Sequence, residues 1–392
     1  MSIFELCRTE TTPFAVEFLE KSNYFLVAGG GGAAKTGVKN LVSLYAVGPK
    51  ETLDDKSPIA CELVRSFDTD PCATMSLHSR RMEDGNYLLA CSHDSGTTLY
   101  RLESFEKLEK IQFVRTDFLK NEMESSQRVV RICTQLDSFV ATGSDGLVRR
   151  FGFHIDDLSN DAFKLLTEIA AHKSRPYDLD VSADGKYAIS CAVDRSAIWE
   201  LTTGAMACEL NLGALSSSHR LKFARFSTLG VKNYVLVGAL IPLRRSKNAR
   251  CLMSLWAFNA PNNRCALLFQ PKPAGAEVFA WLSLSDCGAY CATSTMEGGV
   301  AVYNTHTMDT LYARTDAHSG VVTSLAFLPK SARPLSCMNL LPKPTKIALL
   351  SVGFDCSVRL HAVQRPRPWL TEFYIVIIAF LMVYSSLWLI GL

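Results

Sequence analysis

The sequence predicts an all-β body made of repeated units, followed by one C-terminal transmembrane helix. Through residues 1–365, short runs of alternating apolar and polar residues are bounded by Gly, Asp and Ser, which is typical of strands. Residues 373–392 contain no Asp, Glu, Lys or Arg. These two patterns divide the chain into a folded body and an apolar tail.

One unit recurs along the body at a spacing of roughly 50 residues. It consists of an apolar strand that ends in small residues, a polar turn that often contains Asp, and a second alternating strand. Clear copies occupy residues 87–102, 139–153, 187–201, 290–305 and 348–363. Two more copies, at 25–47 and 234–258, carry long inserts between their strands and bring the total to seven.

The repeated unit resembles that of the WD-repeat β-propeller, and two copies keep the upstream histidine of that family. His172 precedes Asp194 and Trp199, and His318 precedes Asp355. The resemblance implies a seven-bladed WD-repeat β-propeller, in which a loop His, a strand Ser and the turn Asp form a buried hydrogen-bond network. His172 and Asp194 are therefore interpreted as structural residues and not as an acid–base dyad.

The apolar tail is long enough to cross a membrane as a helix. Its 20 residues would span about 30 Å, which is the hydrocarbon thickness of a bilayer. No apolar run typical of a signal peptide follows the N-terminus, so we expect a tail-anchored protein. Arg365 and Arg367 favour a cytosolic body. The expected organisation is a propeller over 1–365, a basic juxtamembrane linker over 366–372 and a tail anchor over 373–392.

Composition narrows the classes of protein that the chain can represent. The 392 residues are 48% hydrophobic and 20% charged, which excludes a disordered chain. A net charge of +3 with small, separate basic clusters is unlike a nucleic-acid-binding domain, so we expect no nucleic-acid partner. The thirteen cysteines are odd in number and scattered, and we interpret them as reduced, buried thiols of a cytosolic body.

The glycine-rich loop at 29–40, GGGGAAKTGVKN, is unusual for a propeller blade. Its first eight residues match the phosphate-binding P-loop except at Ala34. A P-loop must open a helix, whereas the residues after Asn40 alternate as a strand, so we reject a nucleotide-binding P-loop. A glycine-rich loop can instead direct several carbonyl oxygens inward, and such oxygens suit a hard cation or, as a wide ring, potassium.

The loop, the divergent seven-bladed propeller and the C-terminal anchor together resemble one family. It is the endoplasmic-reticulum guanine-nucleotide exchange factor of the Sar-type small GTPase, or prolactin regulatory element-binding protein family. The resemblance implies that Asn40 is the catalytic contact with the GTPase. It also implies further GTPase contacts at Lys35, Thr36, Val38 and Lys39. A potassium ion is expected on backbone groups of Gly30, Gly31, Gly32, Ala33, Ala34 and Gly37.

The function implied by the resemblance is nucleotide exchange without covalent chemistry. The chain would accelerate GDP release from a Sar-type GTPase at the endoplasmic reticulum membrane, and so start COPII coat assembly and transport to the Golgi. COPII coat components are possible further partners. The main alternative is a tail-anchored WD-repeat scaffold without exchange activity. A DNA-binding regulator is a less supported alternative, because none of the basic clusters forms a stripe with interleaved aromatic residues.

Overall fold

The structure is a computed structural model that describes most of the predicted body. The described residues are 2–34, 37–49, 59–119, 126–133, 135–153, 163–230, 233–244, 246, 248–329 and 345–364. The predicted linker and tail anchor, residues 366–392, lie outside them and stay predictions. Within the described residues, no helix is long and apolar enough to cross a membrane.

The described chain folds into seven antiparallel sheets, which confirms the predicted seven-bladed, all-β propeller. The chain begins with β1 (Ser2–Arg8). Blade 1 contains β2 (Pro13–Phe18), β3 (Tyr24–Gly29), β4 (Leu41–Pro49) and β5 (Ile59–Asp68). Blade 2 contains β6 (Ser76–Arg81), β7 (Tyr87–Ser92), β8 (Gly96–Glu103) and β9 (Lys107–Arg115). Blade 3 contains β10 (Val129–Cys133), β11 (Ser138–Thr142), β12 (Val148–Gly152) and β13 (Lys164–Ile169).

The remaining blades follow the same order. Blade 4 contains β14 (Asp178–Val181), β15 (Tyr187–Cys191), β16 (Ser196–Glu200) and β17 (Met206–Glu209). Blade 5 contains β18 (His219–Ser227), β19 (Tyr234–Pro242), β20 (Cys251–Asn259), β21 (Arg264–Leu267) and β22 (Lys272–Gly275). Blade 6 contains β23 (Phe279–Leu284), β24 (Tyr290–Thr295), β25 (Val300–Asn304) and β26 (Thr310–Arg314). Blade 7 contains β27 (Val322–Phe327), β28 (Thr345–Gly353) and β29 (Ser357–Gln364). Short 3-10 turns occupy Gly32–Ala34, Gly213–Ser217 and Ala260–Asn262.

The N-terminal strand closes the ring. Strand β1 pairs antiparallel with β29, with Phe4 opposite Leu360, and so supplies the outermost strand of blade 7. The first strand of each blade lies innermost, and β2 contacts the first strands of both neighbouring blades, β6 and β27. The two ends of the described propeller are thereby joined in one sheet, and β1 forms the outer edge of blade 7.

Each predicted repeat corresponds to the second and third strands of one blade. These middle strands lie between neighbouring blades and are buried on both faces, as in β7, where every residue is buried. They therefore read as continuous apolar runs in the sequence. Outermost strands are far more exposed, as in β5. Blade 5 is the irregular one, because both β21 and β22 pair with β20 and together form a split outer strand.

The predicted histidine networks are present and buried. In blade 4, His172 Nε2 lies 2.7 Å from Ser190 Oγ, which also accepts a hydrogen bond from Trp199 Nε1 at 2.8 Å. His172 Nδ1 lies 3.4 Å from the Asp194 carboxylate. Burial lowers the pKa of His172, so the ring is neutral at pH 7. This histidine fastens the blade, as the sequence indicated.

The antiparallel order of the strands decides which loops share an end of the propeller. The turn between the second and third strands of a blade lies at the same end as the connection from its fourth strand to the next blade. We call this the loop-bearing end, because the glycine-rich segment between β3 and β4 lies there.

Candidate functional site

The glycine-rich loop joins the middle strands of blade 1. Gly29 still pairs with Leu41 across the β3–β4 ladder, so residues 30–40 form the whole excursion. The chain continues from Asn40 directly into strand β4, which confirms that the loop opens no P-loop helix. The N–H of Gly30 donates to the carbonyl of Thr12 at 3.1 Å. The start of the loop is thereby fixed to the connection between blades 7 and 1.

Asn40 fastens the other end of the loop. Its side-chain oxygen accepts a hydrogen bond from the Gly32 N–H at 2.8 Å. Its amide nitrogen donates to the Asp70 carboxylate at 2.6 Å and to the Gly32 carbonyl at 3.3 Å. The residue is only 1% exposed. We call these contacts among Gly32, Asn40 and Asp70 the loop latch, since they connect both arms of the loop to the segment between blades 1 and 2.

Gly30 is required by the position of Asn40. Its φ is +145°, a backbone region that side chains rarely adopt. A Cβ at this position would lie 2.2 Å from Asn40 Oδ1 and 2.8 Å from the Lys39 carbonyl oxygen. Only glycine fits at position 30, because any side chain there would collide with the Asn40 amide. At Gly37, whose φ is +81°, an added Cβ would meet no atom of the described chain within 4 Å.

The tip of the loop is exposed to solvent. Gly37, Val38 and Lys39 are exposed, and the Val38 side chain is 44% accessible. The Lys39 ammonium forms an ion pair of 2.9 Å with Glu10, in the connection between blades 7 and 1. The hydrogen bond to Glu10 raises the pKa of Lys39. The tip thus presents an apolar side chain and a cation above a base that the loop latch holds.

The structure places the predicted site residues in different environments. Val38 and Lys39 lie at the surface, where a partner can reach them. Asn40 bonds inward in this structure, so its amide shapes the loop and is not presented at the surface. The backbone of Gly32 forms part of the loop latch, and the N–H of Gly30 is bound to Thr12. Lys35 and Thr36 lie outside the described residues. The backbone of Ala33 and Ala34 forms part of the short turn at Gly32–Ala34.

Sequence reasoning missed the residues that hold the loop from neighbouring connections. Asp70, Thr12 and Glu10 contact the loop from two different connections between blades. Asp70 is 30 positions from Asn40, and no local pattern joins the two. The available signal was topological, because second-to-third-strand turns and connections between blades share one end of a propeller.

The loop offers oxygen atoms of the kind that potassium binds. The Gly32 carbonyl, the Asn40 side-chain oxygen and the Asp70 carboxylate converge at the latch. Carbonyl and carboxylate oxygens are hard donors suited to alkali and alkaline-earth cations. No cluster of three His, Cys, Asp or Glu side chains suited to a metal occurs among the described residues, so an ion here would need backbone oxygens in addition to these side chains. These oxygens are of the type that potassium binds, and each of the three already accepts a hydrogen bond within the loop latch.

Exposed apolar side chains gather at the loop-bearing end. They lie in turns between second and third strands or in connections between blades: Val38, Met75, Phe118, Val193, Leu243, Met296 and Phe354. The other large exposed apolar residues of the described chain lie on outermost strands or between β21 and β22. Exposed apolar side chains concentrated at one end of a fold are candidates for contact with other molecules. The loop-bearing end is therefore the candidate interface.

Comparison with known proteins gives a family match to one repeat and relatives that match over most of their length. Residues 163–199 match the family model described as WD domain, G-beta repeat. The chain is 26% identical to the guanine nucleotide-exchange factor SEC12 of Mus musculus, over 93% of this chain and 91% of that protein. It is 24% identical to SEC12-like protein 2 of Arabidopsis thaliana, over 84% of this chain and 74% of that protein.

Among solved structures, Saccharomyces cerevisiae Sqt1 matches with a TM-score of 0.59 and 12% identity, over 93% of this chain and 100% of that chain. At this identity the likeness concerns the fold alone. The full-length relatives, the repeat match and the seven blades together support a SEC12-type WD-repeat propeller.

Proposed function

We propose that this chain, a WD-repeat propeller of the SEC12 type, is a guanine-nucleotide exchange factor for a Sar-type small GTPase. The observation that carries the proposal is the glycine-rich loop, whose base is fixed by the loop latch and whose tip at Gly37, Val38 and Lys39 is exposed. The curated relatives named as exchange factors support the same activity.

A factor of this kind makes no covalent bond. It binds the nucleotide-free GTPase more tightly than the loaded form, and this difference accelerates nucleotide release. By reciprocity, incoming nucleotide weakens the complex by the same coupling free energy. The latch contributes by ordering the loop before the GTPase arrives, so that less conformational entropy is lost when the complex forms. This matters because glycines lose the most backbone freedom on ordering.

Each part of the loop has a role in the proposal. Val38 and Lys39 contact the GTPase directly, and Asn40 acts through the shape that it gives the loop. The exposed apolar residues of the loop-bearing end supply the rest of the docking surface. A potassium ion held by backbone oxygens of Gly30–Gly37 would supply a fixed positive charge that orders the loop.

The proposed cellular setting follows the organisation expected from the sequence. The segment at 373–392 anchors the chain in the endoplasmic reticulum membrane, with the propeller in the cytosol. Exchange is then confined to that surface, where it loads the GTPase that starts COPII coat assembly. The alternative is a membrane-anchored propeller without exchange activity, and the following experiment distinguishes the two.

The test is release of fluorescent GDP from a Sar-type GTPase in the presence of the full chain in mild detergent. We expect acceleration by the unaltered chain and a loss of about tenfold or more in Val38→Ser, since central contacts are worth about 2 kcal/mol or more. We expect a loss of similar size in Asn40→Ala, because this substitution releases the loop latch. Leu165→Ser is the matched control, because Leu165 is similarly exposed, at 49%, but lies on the outermost strand of blade 3. No acceleration by the unaltered chain would overturn the proposal and favour the scaffold alternative.

A further inference from the structure

The mouth of the central channel, at the loop-bearing end, gathers four cationic side chains. Arg128 precedes β10, Arg175 lies in the connection from blade 3 to blade 4, and Arg220 and Lys222 lie near the start of β18. Their positions converge because β10, β14 and β18 are consecutive innermost strands around the channel. This group, which we call the mouth cluster, lies apart from the glycine-rich loop of blade 1.

Deeper in the channel, positive charges are matched by carboxylates. The Arg131 guanidinium lies 3.3 Å from Asp180, and Arg225 forms a close ion pair with Asp178. Both carboxylates also accept backbone N–H groups from β18. Ala224 donates to Asp178 at 3.1 Å, and Phe226 donates to Asp180 at 2.8 Å. These pairs balance buried charge locally, while Asp178 Oδ1 and Arg225 Nη2 have no hydrogen-bond partner in the part of the chain that the structure describes.

The cations of the mouth cluster form no ion pairs of this kind within the described residues. Within the described residues, Arg128 and Arg175 form no ion pair, and the buried Nε atoms of Arg175 and Arg220 have no hydrogen-bond partner. Arg220 lies 5.4 Å above the Tyr177 ring, and Lys222 donates to the Phe279 carbonyl at 2.6 Å. These contacts hold the cations in place without neutralising them.

The charges within the mouth cluster act on one another. Burial lowers the pKa of Lys222, and the charges of Arg128 and Arg220 lower it further. Burial likewise lowers the pKa of Arg175, with a contribution from Arg128. Glu297 and Asp117 oppose these effects only in part. Asp117 accepts the backbone N–H groups of Ser126 and Ser144 through Oδ2, while its buried Oδ1 has no hydrogen-bond partner among the described residues.

We propose that the mouth cluster is a binding site for a multiply charged oxyanion such as phosphate or pyrophosphate. Guanidinium groups match the oxygens of phosphate in geometry and charge. Binding would give the orphaned Nε atoms acceptors and offset the repulsion among the four cations. The site is distinct from the loop latch, and the proposal does not rest on the exchange activity.

The test is isothermal titration of the full chain, in mild detergent, with pyrophosphate in one arm and GDP in the other. We expect pyrophosphate to bind and to weaken as salt rises from 50 to 200 mM, since exposed charges are screened. Arg175→Gln should weaken binding by about tenfold or more, as expected for a partly buried hydrogen bond to a charged group. Arg128→Gln should weaken it by up to about fivefold, because this arginine is exposed.

Arg128→Gln keeps the test informative if Arg175→Gln fails to fold, because the Arg128 side chain is exposed and its replacement should not affect folding. Arg264→Gln is the matched control, because Arg264 is exposed on β21 and should leave binding unchanged. If GDP binds and the same two substitutions weaken it, the source of the oxyanion is a nucleotide phosphate. Binding of pyrophosphate alone indicates a free oxyanion. Absence of pyrophosphate binding at 10 mM, or equal affinity in all variants, would overturn the proposal.

Discussion

Replacing Gly30 by Ala should release the loop latch while leaving the propeller folded. The added Cβ would lie 2.2 Å from Asn40 Oδ1 and 2.7 Å from Asn40 Cα, distances that no van der Waals contact allows. Asn40 directly precedes the paired strand β4, and its Cα and the Lys39 carbonyl oxygen also lie too close to the added Cβ. The two arms of the loop must therefore move apart, and the Asn40 side chain moves with them. The substitution therefore acts on the amide that holds Gly32 and Asp70.

The magnitude follows from the contacts that would be lost. The Asn40 amide makes one hydrogen bond to a carboxylate and two to the Gly32 backbone. A bond to a charged group is worth about 1.5–3 kcal/mol and a neutral one about 0.5–1.5 kcal/mol. Allowing for relaxation of the loop, we expect a loss on the order of 3 kcal/mol in the stability of the latched conformation, or about a hundredfold in its opening equilibrium.

Hydrogen exchange of the Gly32 amide measures that opening directly, because this N–H donates to Asn40 at 2.8 Å. Exchange reports local opening free energy without the need for a partner. Gly37→Ala is the control, since it carries the same kind of backbone strain at φ +81° but meets no atom within 4 Å. Gly30→Ala should accelerate exchange of Gly32 about a hundredfold relative to Gly37→Ala. Equal exchange in the two variants would refute the role assigned to the latch.

Two further predictions concern the blades. His361 is buried between Tyr312 and Ser351, and burial lowers its pKa to about 3. Between pH 6 and 4 the unfolded chain binds a proton at His361 and the folded chain does not. As the pH falls through this range, His361 should therefore lower the free energy of unfolding by about 1.4 kcal/mol per pH unit. Urea unfolding of His361→Gln should show a pH slope smaller by that amount, and an unchanged slope would contradict the assignment. Ser190→Ala removes the acceptor of Trp199 Nε1 and should lower stability by about 1–3 kcal/mol, while GDP release per folded molecule stays the same. A change in release at unaltered stability would indicate a role outside the blade.

The strands were predictable because a blade is specified locally. The middle strands are buried on both faces, and each pair is joined by one turn, so a run such as 187–201 contains its own pattern of burial and turn. The same holds for the histidine network of blade 4, because His172, Ser190 and Trp199 lie within one repeat. The split outer strand of blade 5 was not predictable, since β21 and β22 are short and exposed and carry little apolar signal.

The loop shows where local reasoning stops. Four glycines in succession marked residues 29–32 as unusual, and the strand after Asn40 excluded a P-loop helix. The direction of the Asn40 side chain could not be read from the same residues, because it depends on Asp70 in the next connection between blades. An amide flanked by a lysine in an exposed loop is expected to face solvent unless a distant acceptor lies beside it.

The sequence by itself determined the class of fold, the number of blades and the position of the unusual loop, because these depend on burial patterns that repeat within about 50 residues. The tertiary structure alone decided which groups meet at the loop-bearing end. Ring closure by β1 brings Glu10 and Thr12 to the loop, and the packing of β10, β14 and β18 brings four cations to the channel mouth. Such contacts join residues that are far apart in the chain, and their energies depend on distance and burial in the folded ring, which no local pattern encodes.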